Sequence, residues 1–235
     1  MEDRFIVRKE AILARIAAAA ELSGRSADQI QLVAVAKTAE EAGLREAWEA
    51  GHRAFGHNRV QPLVAHHAVL PEADWHLIGP LQRNKARKAV ERVSMVETVA
   101  DLRLAQTLDR LAAELRTSPL PVLVQVNLRP QDGRPGWSLD ETDSSEPLHA
   151  FASAIQDLPH LALHGLMTIA AADADQGQLR GHFARLRMLS EELADHRLLP
   201  ASPVLSMGMS GDFETAIEEG ATLVRVGRAL FPPVA

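Results

Sequence analysis

The residues of this chain that could do chemistry fall at the ends of short apolar runs. Lys37 closes the run Leu32-Val33-Ala34-Val35-Ala36. A lysine there is expected at the C-terminal end of a buried strand, where burial would disfavour the ammonium form and free the amine to attack a carbonyl carbon. That chemistry suits a Schiff base with an aldehyde. The plain alternative is a surface lysine capping a strand. Other runs end in His57-Asn58, His76 with Gly79, Glu97, Asn127, Met167-Thr168, Ser206, and Arg225 with Gly227. This set is richer in polar groups than a structural barrel end needs.

A second chemistry is anion binding. The segment Ser206-Met207-Gly208-Met209-Ser210-Gly211-Asp212 follows one apolar run and opens a helical pattern. Ser210 reads as its N-cap. Glycines and serines beside free helix N–H groups make a phosphate cradle, or simply a capped helix start. The next run ends in Val226-Gly227-Arg228-Ala229. Arg225, between Val224 and Val226, faces away from those valines, into the sheet's other side or toward covering helices, and needs a partner if buried. Asp212 and Glu214 read as complements to a helix dipole. The histidines show no metal-ligand spacing, and adjacent His66 and His67 cannot share one helix face. The cations Arg83, Lys85, Arg87 and Lys88 read as a solvated helix face or an anion contact.

The elements that must position these groups alternate. Eight strand-like runs (31–36, 53–56, 75–79, 93–97, 121–127, 161–169, 202–206 and 222–227) are separated by helical patterns near 39–50, 59–69, 82–91, 101–116, 146–157, 177–194 and 212–219. Strand–helix alternation demands a parallel sheet covered by helices. Eight such units suggest an α/β fold of the closed (β/α)8 barrel type, with an open doubly wound sheet as runner-up. An extra amphipathic helix at 4–22 precedes them, with Ile6, Ile12, Leu13 and Ile16 at helical spacing. It is expected to pack on the barrel as part of one domain spanning 1–235. The Pro-, Gly- and charge-rich stretch 129–147 reads as the one long, mobile loop. In such barrels ligands meet the C-terminal ends of the strands, and phosphate often binds after strands seven and eight.

Bulk composition narrows the class. The 235 residues are 46% hydrophobic, enough for one large core. A net charge of −6 argues against a general nucleic-acid binder. The chain has no cysteine, which excludes disulfides, thiolate metal sites and cysteine nucleophiles and fits a cytoplasmic protein. No signal peptide and no apolar run of membrane-spanning length is read. There is no tyrosine to serve as acid or base.

Taken together, the segments VAVAKT (33–38), FGHN (55–58), WHLIG (75–79) with LQRNK (81–85), VQVN (124–127), GLMT (165–168), SMGMSGDFETAI (206–217) and VRVGRALF (224–231) resemble the pyridoxal phosphate homeostasis proteins, similar to the N-terminal domain of alanine racemase. The resemblance implies a modified TIM barrel that binds pyridoxal 5'-phosphate. Residue by residue, it implies that Lys37 forms the Schiff base. Ser210, with the backbone N–H groups of Gly227 and Arg228, would hold the phosphate, with Ser206 beside it. Arg225 would face the pyridine nitrogen, and Asn58, His76 and Met167 would line the pocket. The chain departs from the family pattern at His57, Arg59 and Pro62, at Arg134, where lysine is common, and at Pro232.

An arginine facing the pyridine nitrogen disfavours its protonation and weakens the cofactor as an electron sink. With no tyrosine base and no second domain read, the expected function is a non-enzymatic carrier or buffer in vitamin B6 homeostasis. Its expected partners are the cofactor and pyridoxal-phosphate-dependent apo-enzymes, not nucleic acid or membrane, and it is expected to be a monomer. A small enzyme of alanine-racemase type is the alternative, with His76 or His57 supplying the base. A third reading is a barrel enzyme in which Lys37 forms a Schiff base with a phosphorylated metabolite.

Overall fold

A computed structural model describes residues 5–129, 135–139, 145–171 and 173–232. Eight parallel strands close into a barrel: β1 (Gln31–Val35), β2 (Ala54–His57), β3 (Asp74–Leu77), β4 (Met95–Val99), β5 (Leu120–Asn127), β7 (Leu161–Met167), β8 (Val204–Met209) and β9 (Leu223–Val226). Pairing runs β4-β3-β2-β1-β9-β8-β7-β5, and a β4–β5 ladder shuts the ring. Closure removes the open-sheet alternative.

The strands alternate as a barrel covered by helices requires. Leu32, Ala34, Phe55, Trp75, Leu77, Val224 and Val226 belong to the main core between barrel and helices. Val33, Ala54 and Leu223, with Val204 against them, form a separate small cluster inside the barrel, near the strands' N-terminal ends. Two glycines permit close approaches that side chains would block. A Cβ at Gly165 would lie 2.0 Å from the Val204 carbonyl oxygen, and one at Gly79 would lie 2.3 Å from that of Asn58.

The covering helices are α2 (Glu41–Glu49), α3 (Val60–Val69), α4 (Ala86–Val90), α5 (Leu102–Leu115), α6 (Glu146–Gln156), α7 (Gln176–Asp195) and α8 (Phe213–Glu218). Asp101 caps α5 through the Leu104 amide, and Asp175 and Gln178 make a reciprocal capping box on α7. Before them, α1 (Phe5–Leu22) packs on α2 and α8. It is tied down by Arg8 donating to the Leu230 carbonyl at 2.9 Å, Lys9 to that of Ala50 at 2.9 Å, and an Arg15–Glu214 ion pair. Glu214 therefore serves a tertiary contact as well as the start of α8. No described helix is long and apolar enough to cross a membrane.

The stretch 129–147 is not one featureless loop. Two residues of it form β6 (Trp137–Ser138), which adds to β5 in parallel, and Trp137 stacks on Phe151 of α6 at 4.3 Å. A two-residue strand has no periodicity to read, so the sequence did not show it. Arg134 lies outside the described residues.

Candidate functional site at the C-terminal mouth of the barrel

Lys37 is not in β1 itself. It occupies a single turn, Ala36–Thr38, just past the strand's end, and its side chain is exposed. The expected burial of its amine is therefore corrected: the strand is one residue shorter than the apolar run, and the turn carries Lys37 out over the mouth. It makes no hydrogen bond or ion pair among the described residues, while neighbouring Thr38 donates to the Phe231 carbonyl at 2.8 Å and pins the turn.

Below it the barrel interior is polar. Arg225 is 3% exposed and faces inward, opposite Val224 and Val226, which settles the direction that alternation alone left open. Its guanidinium donates to the Ser206 hydroxyl and, at 2.7 Å, to the Thr168 carbonyl. Ser206, fully buried, donates to Glu97 Oε2 at 2.5 Å. The other Glu97 oxygen lies 2.6 Å from His76 Nδ1. Arg225 and Glu97 also form an ion pair at 3.9 Å. Thr168 gives its one hydroxyl proton to the Val126 carbonyl at 2.9 Å, so His182 Nε2, 3.0 Å away, is the donor to it.

These contacts set the charges. Burial alone would raise the Glu97 carboxyl. The hydrogen bond from His76, the Arg225 guanidinium and the Ser206 hydroxyl outweigh it and hold Glu97 below the usual carboxylate range. Burial lowers Arg225, opposed by Glu97 and Asp212, and it remains a cation. A buried charge pair is tolerable when hydrogen bonds offset its desolvation; here each Glu97 oxygen accepts one and the Arg225 guanidinium donates two.

The segment expected to cradle an anion keeps its place but not its expected capping. Asp212, not Ser210, stands at the N-cap of α8, and its carboxylate accepts from the Met209 amide. Gly208, at φ +91°, is required: a Cβ would lie 2.6 Å from that of Ala216. Released from capping, the Ser210 hydroxyl meets the Gly227 amide at 3.4 Å. The Arg228 amide has no acceptor among the described residues, although the Gly227 carbonyl accepts from both Leu230 and Phe231 to close that turn. A Cβ at Gly227 would make only ordinary contacts with Val35, at 3.4 Å and beyond, so packing within the chain does not demand glycine there. Ser206, expected beside the phosphate, instead has its hydroxyl committed inside the barrel to Glu97 and Arg225.

The remaining expected residues divide. Asn58 is half-buried at the end of β2, its backbone against Gly79, and its side-chain amide makes no hydrogen bond among the described residues. Met167 is fully buried beside Ser206 in register, its position relative to any ligand set only by the strand. His57, the other histidine considered as a base, points out of the barrel. It stacks on Trp75 and lies 2.9 Å from His66 Nδ1 on α3, so it cannot serve the mouth. Burial pushes it down to about 4, helped by the charge of His66. Arg59 is exposed, and Pro62 falls in the first turn of α3, where its missing N–H leaves no gap. Among the described residues no cluster of three or more His, Asp or Glu could hold a metal. Glu97 was visible as a strand-end acid but had no assigned partner in sequence reading; its three contacts come from three different strands.

The barrel closure, the polar mouth and the motif order can be set against known proteins. The family model for the alanine racemase N-terminal domain matches residues 7–232. A pyridoxal phosphate homeostasis protein of Pseudomonas aeruginosa is 41% identical over 225 residues, covering 94% of this chain and 91% of that one. This chain belongs to that family. The solved structure of the family relative PipY of Synechococcus elongatus PCC7942, with pyridoxal phosphate bound, is 39% identical, with a TM-score of 0.79, covering 92% of this chain and 99% of that one. Alanine racemase of Clostridium difficile 630 shares the fold alone, at 13% identity and a TM-score of 0.69, over 86% of this chain and 52% of that chain.

Proposed function

We propose that this member of the family binds pyridoxal 5'-phosphate at the barrel mouth and serves vitamin B6 homeostasis as a carrier or buffer rather than as an enzyme. The observation that carries the reading is the convergence at the strand ends of the unpartnered Lys37 amine, the Ser210 hydroxyl against the Gly227 amide, and the Arg228 amide, which has no acceptor among the described residues. The donor set fits a phosphorylated aldehyde. Ser210 and the Gly227 and Arg228 amides suit a phosphate, and a glycine that packing does not require suits close approach by a ligand.

When bound, pyridoxal phosphate supplies an aldehyde that condenses reversibly with a lysine amine. Lys37, exposed and without a competing partner, offers that amine. Ser210, Gly227 and Arg228 hold the phosphate. Arg225, fixed by Ser206, Thr168 and Glu97, presents a cation to the ring side of the site. Asn58, His76 and Met167 line it. With no tyrosine in the chain and His57 turned outward, the mouth has few groups to move a carbon-bound proton. Binding with slow or no turnover suits a cytoplasmic, monomeric carrier that exchanges its ligand with apo-enzymes.

The test is borohydride reduction of the protein mixed with pyridoxal phosphate, followed by peptide mass mapping. A single reduced adduct on Lys37, lost in Lys37→Ala, is expected. Labelling of other lysines with Lys37 unmodified would sink the assignment. Deuterium exchange at Cα of several amino acids separates the readings further: fast exchange would favour the enzyme.

A further inference from the structure

The interior of the barrel contains a group that the ligand set above does not use. Glu97 is completely buried, and both its oxygens are spoken for: Oε1 by His76 Nδ1 at 2.6 Å, and Oε2 by the Ser206 hydroxyl at 2.5 Å. An ionised carboxylate only accepts hydrogen bonds, so the nitrogen facing it must carry the proton. In neutral His76 that leaves Nε2 with a bare lone pair. Nε2 makes no hydrogen bond among the described residues and is not among the sealed, unpartnered polar atoms. The imidazole therefore has one nitrogen locked to the barrel and the other offered to the mouth.

Ionisation of Glu97 is itself arranged. Arg225 balances its charge at 3.9 Å, and Ser206 relays between the two, accepting from Arg225 while donating to Glu97. The chain from Arg225 through Ser206 and Glu97 to His76 crosses the barrel from β9 to β3. Had residue 97 been an amide, its NH2 could donate to Nδ1 and force the opposite tautomer. The side-chain type at 97 thus decides which face of His76 is a donor and which an acceptor, and orientation of one ring nitrogen by a bond at the other is a recurrent way to set a histidine's role.

We infer that Glu97 is a positioning residue that fixes His76 as the Nδ1–H tautomer, so that Nε2 meets a ligand's hydroxyl or ammonium proton as an acceptor. The tautomer claim stands on the chain's own contacts. Its use toward pyridoxal phosphate rests on the function proposed above.

The experiment is ¹⁵N NMR of the histidine rings in the full chain without added ligand, with His76 assigned through His76→Gln. At alkaline pH, wild type is expected to show a protonated Nδ1 and a bare Nε2. Glu97→Gln is expected to invert the pattern while far-UV circular dichroism stays that of wild type. A wild-type Nε2–H tautomer, an imidazolium, or an unchanged tautomer in folded Glu97→Gln overturns the inference. Should Glu97→Gln fail to fold, Ser206→Ala decides: it leaves Oε1 on His76, so the tautomer is expected to hold, and inversion overturns the inference. Adding pyridoxal phosphate then separates the claims. An upfield shift of Nε2 supports the acceptor role. Binding without any change at Nε2 overturns that role alone, and an absence of binding overturns the proposed function while the tautomer result stands.

Discussion

The two ends of the barrel interior are built from opposite chemistry. Near the strands' N-terminal ends Val33, Ala54, Val204 and Leu223 close the barrel with an apolar plug. Toward the other end, on β3, β4, β8 and β9 and just past β7, His76, Glu97, Ser206, Arg225 and Thr168 replace it with a hydrogen-bonded charge network. On β9 the change takes place between Leu223 and Arg225, consecutive inward positions. The plug needs only to exclude water. The network must keep charges out of water and still face a mouth that opens to it, which apolar packing would do at less risk. A chain that keeps the riskier solution at one end, where barrels place their sites, uses that end for something other than stability.

The comparison can be broken most forcefully at Arg225. Arg225→Met strands the Glu97 carboxylate and removes donors from Ser206 and Thr168, and it is expected to cost about 3–5 kcal/mol in urea unfolding. Glu97→Met with Arg225→Met should recover part of that loss, because no unpaired charge remains, yet leave ligand binding poor. Full recovery of both would show the network to be mere packing.

At the other end Leu223→Ala opens a cavity and is expected to lose roughly 2–5 kcal/mol, with affinity for pyridoxal phosphate unchanged. A loss of affinity as large as that of Arg225→Met would erase the distinction between the ends.

Acid sharpens the comparison by acting outside the barrel first. Burial pushes His52 and His57 down to about 4 in the outer layer. A histidine whose pKa is lowered on folding stabilises the fold above its unfolded value and loses that contribution as pH falls toward its folded one. From pH 7 to pH 5, unfolding stability should therefore drop by about 2 kcal/mol for each of the two. Glu97, held below the usual carboxylate range, gives up its contribution only below about pH 4.3. Urea titrations at stepped pH check the order; replacing His57 by Phe should remove about half of the neutral-to-acid loss.

The smallest effect on stability is expected at the residue proposed to bond the ligand. Lys37→Ala, in an exposed turn without partners, should shift stability by no more than about 0.5 kcal/mol while abolishing the borohydride-trapped adduct.

Much of this was legible in the chain. The strand runs and their alternation with helices announce a barrel, because parallel strands buried on both faces must be nearly continuous in apolar residues. The ends of the apolar runs already collect Lys37, His76, Glu97, Ser206 and Arg225. Ser210 shows the limit at helix starts: a plausible cap was displaced by Asp212 two residues on, where Gly208 turns the chain ahead of α8.

What residue order alone determined was the fold class and which polar groups gather at the C-terminal ends of the strands, since these follow from period and composition. Only the closed barrel decided which of those groups meet. His57 and His76 both stand at or near strand ends, yet β2 turns the first outward onto Trp75 and β3 turns the second inward onto Glu97. Lys37 was carried into solvent by one turn, and Arg225, Ser206 and Glu97 were joined although Glu97 and Ser206 are 109 residues apart. Side-chain direction relative to a shared interior is a property of strand pairing and register, and no single segment contains it.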